Sequence, residues 1–154
     1  MIETVLIYLI EDDKILFMYR NKKNNDYNHG KHIGIGGHVE KNETPEMALI
    51  REVKEETNYD LLDYKKRGVI IFEFDNYFEK MHVYLSNQFA GNQKESDEGD
   101  LMWVYKKDID KLSLFESDKV FLPILFESNK YFEYHFVYKN NLYQGVKYEK
   151  ISDC

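Results

Sequence analysis

The side chains best suited to chemistry cluster between Gly36 and Glu56, with a second acidic group ending at Glu98. Arg51-Glu52-Val53-Lys54-Glu55-Glu56 packs three carboxylates into six positions. At ~100° per residue, Glu52, Glu55 and Glu56 share an arc of about 100° on one helix face. Like charges three or four positions apart cost a helix a few tenths of a kcal/mol per pair. Glu52/Glu55 and Glu52/Glu56 have that spacing, and Arg51 and Lys54 offset it only in part. A solvated acidic face has the same pattern. The sharper alternative is a hard-cation site, because carboxylate oxygens suit Mg²⁺ or Mn²⁺ held together with waters and substrate phosphates. Gly36-Gly37 precede this segment by a short loop, so unhindered backbone carbonyls can face the same cation.

Positioning these groups requires a helix after a glycine-rich strand. Thr44 is a good N-cap, Pro45 suits the first helical position and Glu46 complements the dipole. The pattern predicts a helix to about Tyr59, with Asn58 in the left-handed conformation that ends it. Met47, Ile50, Val53 and Thr57 are expected to face the core. Strands are expected at Thr4–Ile10, Lys14–Arg20, Val69–Phe74, Met81–Phe89 and Leu101–Tyr105, with a short one at Ile33–Gly37. A polar loop, Asn21–Lys31, precedes the glycine strand. A second helix is expected over Ser117–Phe126, shortened or kinked by Pro123. Tyr131–Tyr138 and Leu142–Tyr148 form a closing hairpin around Asn140-Asn141. This order predicts an α/β fold with a mixed sheet between helices.

The rest of the sequence bounds the answer. With 154 residues, 43% hydrophobic and 16% aromatic, the chain suffices for one domain that buries ~70% of its unfolded surface. No run approaches the ~18 apolar residues of a membrane span. The start, MIETVLIYLIEDD, carries acids where a signal peptide has positive charge. The single cysteine, Cys154, allows no internal disulfide or thiolate zinc cluster. His29, His32, His38, His82 and His135 have no i,i+4 pairing, which argues against zinc. A net charge of -7 disfavours duplex nucleic acid and anionic lipid. No Gly-Lys-Ser/Thr follows the glycines, so they are not a P-loop. The aromatic stripe Phe132, Tyr134, Phe136, Tyr138, with no basic patch beside it, is expected in the sheet core. A cytoplasmic, single-domain protein follows as the expectation.

Gly37, five residues, Glu43, seven residues, then Arg51-Glu52-Val53-Lys54-Glu55-Glu56-Thr57-Asn58-Tyr59 resembles the Nudix box of the Nudix hydrolases. The family usually has Gly where Asn58 stands. The resemblance implies the Nudix α/β/α sandwich and hydrolysis of a nucleoside diphosphate linked to another moiety, with Mg²⁺ as cofactor and Mn²⁺ as a substitute. It implies a carbonyl ligand from Gly36, metal carboxylates from Glu52, Glu55 and Glu56, and an Arg51 that orients Glu43 and Glu55. A further acid outside the box is expected. Glu95-Ser96-Asp97-Glu98, with Trp103 five residues on, resembles the oxidised-purine nucleoside triphosphatase subgroup and nominates Glu98 as metal ligand or base. Segments Ile70–Phe74, Phe121–Leu125 and Lys130–Phe136 extend that likeness to the MutT-type enzymes.

The subgroup resemblance also implies a purine pocket. Phe115 matches its aromatic wall, Asp118 one of two acids, and Phe121 its Phe-x-Pro element, while Ser117 stands for the other acid. Ile33 replaces an Asn that reads the purine edge. The implied substrate is a nucleoside triphosphate such as 8-oxo-dGTP, cleaved to monophosphate and pyrophosphate by a monomer or homodimer. ADP-ribose, a dinucleotide or an RNA 5′ end remain open as substrates, as does a silent nucleotide sensor.

Overall fold

A computed structural model describes residues 1–22 and 28–154. Positions 23–27 of the expected polar loop lie outside the described residues. The elements are β1 (Ile2–Glu11), β2 (Lys14–Tyr19), β3 (His32–Ile33), β4 (Ile35–His38), α1 (Pro45–Thr57), β5 (Asp60–Glu73), β6 (Phe78–Ala90), β7 (Asp100–Tyr105), a 3₁₀ helix (Lys106–Lys111), α2 (Glu116–Glu127), β8 (Lys130–Lys139) and β9 (Leu142–Asp153). Among the described residues nine strands form one sheet in the order β3-β2-β1-β6-β5-β8-β9, with β4 added to β1 and β7 to β2. The sheet is mixed: β1/β6 and β5/β8 run parallel, and the other pairs antiparallel.

Strand β1 shows why this becomes a sandwich. Val5, Ile7 and Leu9 join Ala48, Leu49 and Val53 of α1 in one core, while Leu6 and Tyr8 point through the sheet to Phe121, Leu122 and Leu125 of α2 in the other. A strand buried on both faces reads as a near-continuous apolar run, and β1 does. The tail aromatics Phe132, Tyr134, Phe136 and Tyr138 are buried in the α2-side core, as their alternation predicts.

Two elements depart from the expectation. β5 begins at Asp60, nine residues before the expected Val69, and its polar first half carries register shifts where it pairs with β6. Charged side chains on an exposed, bulged stretch read as loop in sequence. α2 runs through Pro123 to Glu127. The proline withdraws one donor, the one that would meet the Lys119 carbonyl a turn earlier. The far end of α2 is held instead by Arg67 of β5, only 3% exposed, whose guanidinium donates to the carbonyls of Leu125, Ile124, Ser128 and Lys130 at 2.8–3.3 Å. A cation on the last carbonyls satisfies acceptors that the helix leaves open.

Candidate active site

α1 forms as its ends dictate. Thr44 Oγ1 accepts from the Met47 N–H at 3.1 Å, Pro45 opens the helix, and Asn58 closes it at φ 70° with its N–H on the Lys54 carbonyl. The helix is, however, rotated from the expected orientation. Met47 and Ile50 are 53% and 46% exposed, and the buried arc is Ala48, Leu49, Val53, Glu56 and Thr57. The acidic side of the helix turns in over the glycines of β4, which swings Met47 and Ile50 out to solvent.

That approach needs glycine. A Cβ at Gly36 would overlap the Val5 carbonyl oxygen of β1, and one at Gly37 would stand 2.6 Å from the Glu52 carboxyl carbon. With both absent, Glu52 and Glu56 lie directly on the β4 backbone. Glu56 Oε2 accepts from the Gly36 N–H at 3.1 Å.

Arg51 organises the remaining acids. Its Nε and Nη2 grip Glu43 in a two-point pairing at 2.7 and 3.0 Å, and Nη1 donates to Glu52 at 2.7 Å and Glu55 at 3.2 Å. Nη2 also reaches the His38 carbonyl at 3.0 Å, tying the helix to the end of β4. A planar guanidinium suits such divided pairing, and a Lys ammonium does not. These hydrogen bonds hold the Glu43 carboxyl below the usual carboxylate range and the Arg51 guanidinium charged.

Glu98 reaches the same place from the loop between β6 and β7, with Arg20 Nη1 at 3.8 Å. Glu56 is 6% exposed, and burial, a hydrogen bond with the Glu98 carboxyl and the charges of Glu98 and Glu52 all raise its pKa. Glu52 is raised too, chiefly by burial. Crowded, desolvated carboxylates of this kind favour either a shared proton or a bound cation. Among the described residues no three His, Cys, Asp or Glu side chains are gathered tightly enough to hold a metal ion by themselves. The donors gathered here are carboxylate and carbonyl oxygens, which suit a hard divalent cation that keeps some of its waters.

On the α2 side of the sheet lies a cleft of ≈ 320 Å³. Ile33, Phe115 and Asp118 line it, together with Leu6, Tyr8, Phe72, Phe74 and Tyr138. Phe121 does not reach it. It is fully buried with its ring 5.7 Å from that of Phe132, one α2 turn on from the residues that face the cleft. Asp118 is 7% exposed, and burial pushes its carboxyl up to about 7, against the opposing pull of Lys31. Lys31 Nζ stands 5.5 Å over the Phe115 ring. Ser117 is not a free acid substitute, because its N–H and Oγ are both spent on the Tyr138 hydroxyl, at 3.2 and 2.8 Å.

Tyr8 was legible in sequence only as strand core. Its ring is buried, and its hydroxyl has no hydrogen-bond partner among the described residues, although the Gly34 amide and the Asp118 charge both act on it. Glu79 also lines the cleft, its carboxyl raised by burial while it accepts from Thr4 Oγ1 at 2.8 Å. Nothing in the spacing of either residue marks a site.

The two places share a wall. The chain from Ile33 to His38 lines the cleft with its end side chains, while the Gly36 amide and the Gly37 face meet Glu56 and Glu52. A glycine strand, an Arg-ordered acidic helix and an α/β/α sandwich are together the features expected of a Nudix protein. The NUDIX domain model matches residues 2–133, and the chain belongs to the Nudix hydrolase family. It is 27% identical over 153 residues to the oxidized purine nucleoside triphosphate hydrolase of Danio rerio, covering 96% of this chain and 94% of that one. It is 28% identical over 113 residues to a Nudix hydrolase of Bacillus subtilis (strain 168), covering 70% and 68%. The crystal structure of the MutT protein from Bacillus halodurans superposes with a TM-score of 0.83 at 18% identity, covering 98% of this chain and 97% of that one. Among the described residues no helix is long and apolar enough to cross a membrane.

Proposed function

We propose that this protein hydrolyses a purine nucleoside triphosphate, with an oxidised base such as 8-oxo-dGTP as the best candidate, to the monophosphate and pyrophosphate in the presence of Mg²⁺. The observation that carries this reading is the shared wall. An aromatic cleft ending on a buried acid stands across one short glycine strand from a crowd of carboxylates. A base in the cleft would leave its phosphates directed along that strand toward Glu52 and Glu56. The Danio rerio relative, named for oxidised purine nucleoside triphosphates, supports the same assignment.

Glu52, Glu56, Glu98 and the Gly36 carbonyl would hold the cation, with Glu55 at its edge. Bound there, a divalent ion neutralises charge on the phosphoryl oxygens and brings the pKa of a coordinated water toward neutrality. Glu98, beside Glu56, would take the proton of the attacking water. Arg51 touches no substrate in this scheme; it keeps Glu43, Glu52 and Glu55 in place. The cleft supplies aromatic faces and the Asp118 carboxyl for the base. A net charge of -7 repels a bare triphosphate, so the cation also decides whether substrate binds at all. With one cysteine and that charge, the chain suits a cytoplasmic enzyme working on free nucleotides.

The test is a nucleotide panel with Mg²⁺, read by pyrophosphate release. 8-oxo-dGTP and dGTP should turn over faster than dCTP or dTTP, and EDTA should abolish the signal. Faster turnover of ADP-ribose would assign the site to another diphosphate substrate. Nucleotide binding with no turnover would make it a sensor.

A further inference from the structure

The loop that delivers Glu98 is fastened to the exit of α1 by consecutive residues on both sides. Asn58 Nδ2 donates to the Asn92 carbonyl at 2.9 Å. The Gln93 Oε1 accepts from the Tyr59 hydroxyl at 3.2 Å and from the Trp103 indole N–H at 3.0 Å. The Lys94 N–H donates to the Thr57 carbonyl at 3.1 Å. Residues 57, 58 and 59 thus hold residues 94, 92 and 93. Past this fastening, Lys22 Nζ holds the Ser96 carbonyl at 2.7 Å, and Ser96 Oγ accepts from the Glu98 N–H at 3.2 Å. The loop then brings Glu98 against Glu56, one residue before the helix's last.

Asn58 sits at φ 70°, where glycine is conformationally easier than any side chain. What asparagine adds at that position is a donor aimed at the Glu98 loop, since its own N–H already caps Lys54. We propose that Asn58 is a positioning residue, which ties the Glu98 loop to the helix exit and so fixes where Glu98 enters the carboxylate centre. This inference rests on the reading of Glu98 as a working member of that centre.

The experiment is a double-mutant cycle on the full chain with Mg²⁺ and dGTP, following kcat, KM and Tm. Asn58→Gly keeps the left-handed turn and removes the Asn58–Asn92 bond of the fastening. It should lower kcat about 5- to 10-fold, leave KM within ~2-fold and leave Tm nearly unchanged, because the easier backbone offsets the lost bond. Asn58→Asp keeps the shape without the donor and should lose kcat in the same way. Glu98→Gln should lower kcat further, and adding Asn58→Gly to it should change nothing more, since the two substitutions remove the same contribution. Wild-type kcat in Asn58→Gly, or an equal loss in both backgrounds, overturns the positioning role. An unchanged kcat in Glu98→Gln alone overturns the reading of Glu98 and this inference with it.

Discussion

The carboxylate centre and the base cleft share one glycine strand and are built in opposite ways. The centre is mostly local: Glu43, Arg51, Glu52, Glu55 and Glu56 lie within fourteen positions, and one guanidinium arranges most of them. The cleft draws Tyr8 from β1, Ile33 from β3, Phe72 from β5, Asp118 from α2 and Tyr138 from β8. The centre is crowded with charge whose mutual repulsion needs a partner, whereas the cleft is mostly aromatic and aliphatic, with the acids Asp118 and Glu79 at separate places on its wall. A local device survives variation elsewhere in the fold. A cleft assembled from so many elements can change what it binds through any one of them.

Removing one charge from the centre should have the largest effect. Glu56→Gln keeps size and hydrogen bonding, and turnover should fall at least ~10²-fold, about 2.7 kcal/mol of transition-state stabilisation, with an unchanged circular dichroism spectrum. Wild-type turnover in saturating Mg²⁺ would break the distinction between the two regions at its strongest point.

The cleft should answer through binding. Asp118→Ala is expected to raise KM for purine triphosphates ~10-fold, about 1.4 kcal/mol, with kcat little changed. Equal effects on purines and pyrimidines would remove the base from this cleft. Steady-state kinetics on dGTP and dCTP decides it.

The same acid should leave a mark on stability. Its folded pKa of about 7 lies above the unfolded value near 3.9, so folding takes up a proton between those limits. Its contribution therefore favours the folded state at low pH and is lost as pH rises toward 7, by at most about 1.4 kcal/mol per unit. Asp118→Asn should flatten this slope in chemical denaturation measured from pH 4.5 to 8. An unchanged slope would show that another group sets it.

The smallest expected effect is a gain. Tyr8→Phe deletes a buried hydroxyl without a partner among the described residues while keeping the ring, and should stabilise the protein by about 1 kcal/mol, some 2–4 °C in Tm. A loss of stability would mean that the hydroxyl is satisfied in solution.

The same contrast explains what could be read from the sequence. The limits of α1 were legible because Thr44, Pro45 and Asn58 act on the backbone next to them. The facing of Met47 and Ile50 was not, because helical periodicity finds a stripe and cannot say that a glycine strand will draw the acidic side inward. Phe121 stays out of the cleft and Tyr8 enters it for a similar reason: motif position brings a residue near a cleft, and only the α2–sheet packing decides which ring faces it. The first half of β5 was hidden by its charges. One of them, Arg67, is a buried cap for a helix 57 residues or more further along the chain, and no local pattern announces that.

Arg67 also gives α2 a mechanical character. The helix is clamped at its far end by a guanidinium on its last carbonyls, while at its near end Phe115 offers no side-chain cap among the described residues. The near end is pinned instead by a neutral pair, the Ser117 N–H and Oγ on the Tyr138 hydroxyl, with Asp118 beside it. Tyr138→Phe should therefore loosen the near end and speed amide exchange at Ser117, while exchange over 124–127 stays slow.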